Sequence, residues 1–137
     1  MEEKLKTLKM IHIAMCIGLV LVYFFLGEID SIDKLLSPKM DATNYIYLSI
    51  PIIAYILSNL LFKLQLKNIN LKLDFEEKYP FYQTASLIRW AVLEGAAFLI
   101  LFLQKELIVF GILIIAYLIL IRPTENRMKM DLDKNLI

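Results

Sequence analysis

Four apolar runs constrain this chain more than any other feature. The first spans Met10 to Leu26 and the second Tyr45 to Phe62, and neither contains Asp, Glu, Lys or Arg. The third, Ala85 to Leu103, holds only Arg89 and Glu94; the fourth, Leu107 to Ile121, is uncharged. A hydrocarbon core about 30 Å thick takes about 20 helical residues, within a range of about 17–25. One such run suits the buried helix of a soluble core. Four of them in 137 residues leave too little polar chain to cover them. Composition agrees: 59% of the residues are hydrophobic and 21% charged, against roughly 45–50% and 25% in soluble domains.

The expected fold is therefore all-α and polytopic, one transmembrane domain over residues 1–137. Its four transmembrane helices, at about 10–26, 45–66, 81–103 and 106–121, form two antiparallel hairpins, with a short tail at 122–137. The first and fourth are short, so Lys9, Lys105 and Arg122 should snorkel toward the headgroups.

Lys and Arg in the loops set orientation. Lys4, Lys6 and Lys9 precede the first run. Lys63, Lys67, Lys72 and Lys78 fill the middle loop, and Arg122, Arg127, Lys129 and Lys134 follow the last run. The remaining loops carry only Lys34, Lys39 and Lys105. Both termini and the middle loop are expected in the cytoplasm, with the protein in the inner membrane of a bacterium. Gly27-Glu28-Ile29-Asp30 after the first run lacks a small-x-small cleavage site, so an uncleaved first helix is expected rather than a secretory signal.

The first outer loop carries Glu28, Asp30, Asp33 and Asp41 without EF-hand spacing, which favours a solvated loop over a cation site. A short interfacial helix is expected at 31–36. Asp74 to Lys78 reads as a polar turn, and Tyr79-Pro80-Phe81-Tyr82 as the start of the third helix. Tyr45, Tyr47 and Tyr117 suit the headgroup level. Thr124-Glu125 reads as an N-cap and first turn of a short helix to about Leu132.

The first and third runs align without gaps at an offset of 77. His12 meets Arg89, Ala14 meets Ala91, and Gly18 meets Gly95. Each run carries Ala-x-x-x-Gly, the small-residue spacing that lets helix backbones approach in lipid. Ala14, Gly18, Ala91 and Gly95 are thus candidate helix-packing positions. The alternative is chance alignment of two apolar runs.

Glu94 lies near the middle of the third run, where a lipid-facing carboxylate is costly. It is either a structural clamp between helices or a proton-active group. Arg89 falls about 140° around the helix from Glu94 at 100° per residue, so the two are poorly placed to pair. Trp90 lies one turn below Glu94, suited to shield it or to mark the interface. His12, Asn59 and Arg89 are expected at one depth below Glu94, either as a vestibule toward it or as unrelated interfacial side chains. Pro51 suits a kink, and Cys16 suits packing.

One His and one Cys give no material for a metal or haem site, and no cofactor is expected. No phosphate-binding glycine loop or Gly-x-Ser-x-Gly is present, so no catalytic residue is assigned and no enzyme is expected. A net charge of +1 lacks the basic surplus that nucleic acid requires. Candidate partners are the bilayer, a second copy of the chain or another membrane subunit.

Ser86 to Phe98, with Arg89, Trp90, Glu94 and Gly95, followed by Arg122-Pro123-Thr124-Glu125 and Asp131-Leu132, resembles a family of small, functionally uncharacterised bacterial four-helix membrane proteins. The resemblance implies the four-helix fold, directs attention to Arg89, Glu94 and Gly95, and supplies no mechanism. A looser likeness to the proteolipid c-subunits of rotary ATPases fails on glycine content, the position of the carboxylate and the long inner loop. The functional expectation is a non-enzymatic accessory or homo-oligomeric membrane component. The alternative is a small transporter or proton-coupled carrier using Glu94.

Overall fold

A computed structural model describes residues 2–28, 35–38, 40–70 and 72–134. The described residues are helical and contain no strand. α1 is Glu2–Leu26, α2 Ala42–Tyr47, α3 Ser49–Lys67 and α4 Phe75–Leu103. A 3-10 turn at Lys105–Leu107 leads into α5, Ile108–Leu120, and α6 is Glu125–Lys134. The helix expected at 31–36 lies outside the described residues except for its last two, as do Asp30, Asp33, Lys34 and Lys39.

Two helices begin earlier than their apolar runs. α1 takes in the lysine-rich segment back to Glu2. α4 starts at Phe75, so the expected polar turn at Asp74–Lys78 is its N-cap and first turn. Asp74 and Glu77 form a capping box: Glu77 N donates to Asp74 Oδ1 at 2.8 Å, and Asp74 N donates to Glu77 Oε2 at 3.1 Å. Two amides that a helix start leaves without partners are thereby satisfied. Pro80 sits inside α4 and omits one bond of its ladder. Asp74→Ala should cost about 1 kcal/mol. Faster amide exchange over residues 75–79 would report it; unchanged exchange would show that packing holds this turn.

Pro51 has a comparable effect. Its ring disfavours a helical carbonyl four residues earlier, at Tyr47, and the chain breaks there into α2 and α3, joined through Leu48. At the other end of the chain, α6 turns 89° away from the axis of α5. Thr124 caps α6, its Oγ1 accepting from Arg127 N at 3.2 Å.

α4 is the central element, packed extensively on α3, then on α5 and α1. α1 lies against α4 and α5, so the hairpin expected from the first two spans is not an extensively packed pair. The second hairpin, α4 with α5, is. This asymmetry departs from the two equivalent hairpins that the offset of 77 suggests. The core runs along the inner face of α4 through Tyr79, Tyr82, Trp90, Leu93, Ala97 and Leu101, and Met128 and Leu132 of α6 close one end.

Outside this core the surface is apolar rather than polar. Phe24, Phe25, Ile46, Ile52, Phe102 and Leu120 are all more than half exposed, a pattern that water penalises and hydrocarbon does not. α1, the α2–α3 unit and α4 are long and apolar enough to cross a membrane. α5 joins them as a fourth only when counted with the bent α6.

Candidate functional site

The sequence brings four polar side chains to one level of the bundle, from four helices. His12 is on α1, Asn59 on α3, Arg89 on α4 and Tyr117 on α5. They form two bonded groups.

In the first group, Tyr117 is the hub. Its hydroxyl accepts from Arg89 Nη2 at 3.2 Å and donates to Asn59 Oδ1 at 3.2 Å. Asn59 Nδ2 donates back to the Tyr55 carbonyl at 2.8 Å, and the Tyr55 and Tyr117 rings lie 5.1 Å apart. The guanidinium carbon of Arg89 stands 4.7 Å from the Phe62 ring centre, a favourable cation–π placement. Its Nε is buried with no hydrogen-bond partner. Tyr117 suits the headgroup level by its place in the sequence; in the structure it is half-buried and bonded across helices. Nothing in the spacing of Asn59, Arg89 and Tyr117 signals this, because three separate helices converge. Tyr117→Phe should destabilise the fold by about 1–3 kcal/mol, the cost of leaving buried polar groups unpaired. Denaturant unfolding in detergent measures this, and an unchanged midpoint would show that the hydroxyl is dispensable.

His12 anchors the second group. Its ring is 3% exposed, and Nε2 lies 2.8 Å from the Leu118 carbonyl. A carbonyl only accepts, so Nε2 carries the proton. Leu118 is in the last turn of α5, where carbonyls lose their helical partners. The Tyr117 carbonyl is taken by Ile121 N and that of Ile119 by Arg122 N. Arg122 N is the regular helical partner of the Leu118 carbonyl, but it bonds to Ile119, whose own donor position is Pro123 with no N–H, so His12 supplies the missing donor from another helix. Trp90 packs on it with ring centres 4.7 Å apart and is 1% exposed, which makes it a core residue. Cys16 Sγ lies 3.7 Å from His12 Nε2. With Nε2 protonated, Nδ1 is the free acceptor of the ring, and it lies 4.0 Å from the same sulfur.

Glu94 belongs to neither group. It is half-buried, close enough to Cys16 for their charges to interact, and makes no hydrogen bond or ion pair among the described residues. Arg89 faces Phe62 and Tyr117, while Glu94 faces the α1 side of α4, so the two do not pair. The expected vestibule from His12, Asn59 and Arg89 to Glu94 is not what these side chains build: each is bonded within its own group.

Ala14, Gly18, Ala91 and Gly95 are all exposed, and a Cβ at Gly18 or Gly95 would meet nothing within 4 Å. They make no close helix–helix approach within the chain. At 100° per residue, Ala14 and Gly18 fall about 160° and 200° from Cys16, on the outward side of α1. Close approach occurs instead at Gly27 and Gly111. A Cβ at Gly27 would strike the Tyr23 carbonyl and the Ile108 side chain; one at Gly111 would strike the Tyr23 hydroxyl and ring. Tyr23 is held there by its hydrogen bond to the Ala97 carbonyl at 2.5 Å.

A second polar level lies at the opposite end. Gln104 Nε2 donates to Asn44 Oδ1 at 2.6 Å, Asn44 Nδ2 to Glu106 Oε2 at 3.4 Å, and Lys105 pairs with Glu28 at 3.4 Å. The two levels are separated by 16 residues along α1 and the two residues after it (His12 to Glu28) and 15 along α2–α3 (Asn44 to Asn59). They are 15 residues apart on α4 (Arg89 to Gln104) and 14 along the turn and α5 (Gln104 to Leu118). At about 1.5 Å per residue each separation is about 21–24 Å.

No group of three or more metal-ligating side chains occurs among the described residues. No family model, curated protein or solved structure matches the chain.

Proposed function

We propose that this chain is a non-enzymatic integral membrane protein that works as an accessory subunit or homo-oligomer, and that Glu94 meets its partner. The observation that carries this is the setting of Glu94: half-buried and unpaired among the described residues, between two polar levels, beside the exposed small residues Ala91 and Gly95. A carboxylate in hydrocarbon needs a donor or a proton. Small neighbours admit a second backbone closely enough to bring a donor.

The four separations of about 21–24 Å support a further part of the proposal, that α5 is a fourth span despite its 13 residues. Four spans put both termini on the cytoplasmic side of a bacterial inner membrane, with the basic segments, as lysine and arginine bias favours. The resemblance to small bacterial four-helix membrane proteins belongs to the same reading.

The carrier reading has less support, because Asn59 and Arg89 turn to Tyr117 and His12 to Leu118 rather than toward Glu94. Two measurements separate the readings. Gly95→Leu should reduce the oligomeric mass in mild detergent, and an unaltered mass removes this face from the contact. Glu94→Gln in liposomes should leave proton flux unchanged, whereas a flux abolished by that change establishes the carrier.

A further inference from the structure

A groove of about 690 Å³ runs along α1 to the corner between α5 and α6, within the size range of small-molecule sites. Its wall on α1 extends from Lys9 through Ile13, Ile17 and Val20 to Leu21, and Arg122 and Thr124 close the end beside Lys9. Leu21 lies 12 residues beyond Lys9, or about 18 Å along the helix. One leaflet of hydrocarbon is about 15 Å deep, half of a core of about 30 Å. The groove is thus apolar over about the depth of a leaflet and cationic at one end.

The cations are available. Neither Lys9 nor Arg122 makes an ion pair among the described residues. Glu125 interacts electrostatically with Lys9 but is already paired with Lys129 at 2.9 Å. Lys9, at the foot of the groove, is one turn below His12, at the level where the basic segments gather.

We propose that this groove binds one anionic phospholipid, its phosphate between Lys9 and Arg122 and one acyl chain along Ile13, Ile17, Val20 and Leu21. The proposal rests on the membrane reading above. Charge complementarity selects the occupant. Two exposed cations at a hydrocarbon boundary favour an anionic headgroup over a zwitterionic one, and the apolar wall holds the chain that a free phosphate lacks. The 89° corner between α5 and α6 makes the site, because it places Arg122 opposite Lys9 instead of continuing α5.

The test uses the full chain in mild detergent, with native mass spectrometry counting bound lipid and thermal unfolding reporting stability. The probes are a phosphatidylglycerol, a phosphatidylcholine with the same acyl chains, and glycerol phosphate without chains. The expected result is one phosphatidylglycerol per chain, bound on the order of tenfold more tightly than phosphatidylcholine, with a raised Tm and no effect of glycerol phosphate. The double variant Lys9→Gln/Arg122→Gln, both at exposed positions, should lose the selectivity and keep the weaker phosphatidylcholine binding. Ile17→Trp, filling the wall, should weaken both lipids. Equal binding of the two lipids by the unaltered chain, or selectivity retained in the double variant, overturns the proposal. So does binding of glycerol phosphate as tight as that of the lipid, which marks a soluble-anion site, or a lipid-free dimer, which puts a second copy in the groove. Release of the chain from native membranes by alkaline carbonate defeats the membrane reading itself. Retention in membranes without lipid selectivity defeats only this proposal.

Discussion

Gly111→Leu should open the seam between α1 and α5 and destabilise the fold by about 3 kcal/mol or more, the upper range for overpacking a well-filled interior. Even a Cβ there would meet ring carbons of Tyr23 at 2.7 and 2.8 Å, in addition to its hydroxyl. Tyr23 has little freedom to yield: it is 2% exposed and bonded to the Ala97 carbonyl at 2.5 Å. Moving the ring breaks that bond in an apolar interior, so the packing and hydrogen-bond losses occur together. A double-mutant cycle isolates the contact. Tyr23→Leu alone removes the bond and leaves a cavity; combined with Gly111→Leu, the added side chain enters space the ring has left. The double variant should therefore be more stable than the sum of the two single losses by about 1 kcal/mol or more. Strict additivity in denaturant unfolding would show that the two residues do not share a contact.

The same seam shows what local sequence reading can and cannot extract. The apolar runs place α1, α3, α4 and α5, because a run with so few charges leaves few options. The ends are legible where a side chain marks them, as with the Asp74-x-x-Glu77 box and Thr124. Asp74–Lys78 has the polarity of a turn, but its acidic spacing suits a helix start. Which faces meet is a different kind of information. Ala14-x-x-x-Gly18 and Ala91-x-x-x-Gly95 have the spacing that permits close approach, yet they point outward. The approach is made by the isolated glycines Gly27 and Gly111, which show no motif because each packs against a tyrosine from another turn or helix. Pairing is hidden for a related reason. The four-residue link between α4 and α5 obliges them to be neighbours, whereas the long link from α1 to α2 does not, and α1 packs elsewhere.

The candidate site divides along the same line. The depth of His12, Asn59 and Arg89 follows from counting residues along their helices. Their partners do not: Tyr117 as acceptor for Arg89, and the orphaned Leu118 carbonyl as acceptor for His12, depend on how α5 ends. The Pro at position 123, which withholds an amide from the Ile119 carbonyl and so draws Arg122 N away from Leu118, is a local trace of the second contact.

Glu94→Leu should move two measurements in opposite directions. In the isolated chain the carboxylate has no partner among the described residues, so its replacement removes a desolvation cost and should raise stability by about 2–3 kcal/mol, the scale of a mid-membrane charge. On the proposed reading the same carboxylate would supply a polar contact to a partner, and its loss should lower the oligomeric mass or release the partner subunit. Glu94→Gln tests the chemistry of that contact. An amide keeps hydrogen bonding and loses charge, so an assembly that survives Gln but not Leu uses a hydrogen bond, and one that fails with both uses a charge. Unfolding of dilute chain in detergent gives the first measurement, and light-scattering mass at higher concentration the second. A Glu94→Leu chain less stable than the parent would mean that the carboxylate is already satisfied within one copy. An unchanged mass would mean that nothing meets it. Stabilisation of the single chain together with loss of assembly is the pattern of a residue kept at a cost to its own fold, because its partner lies outside it.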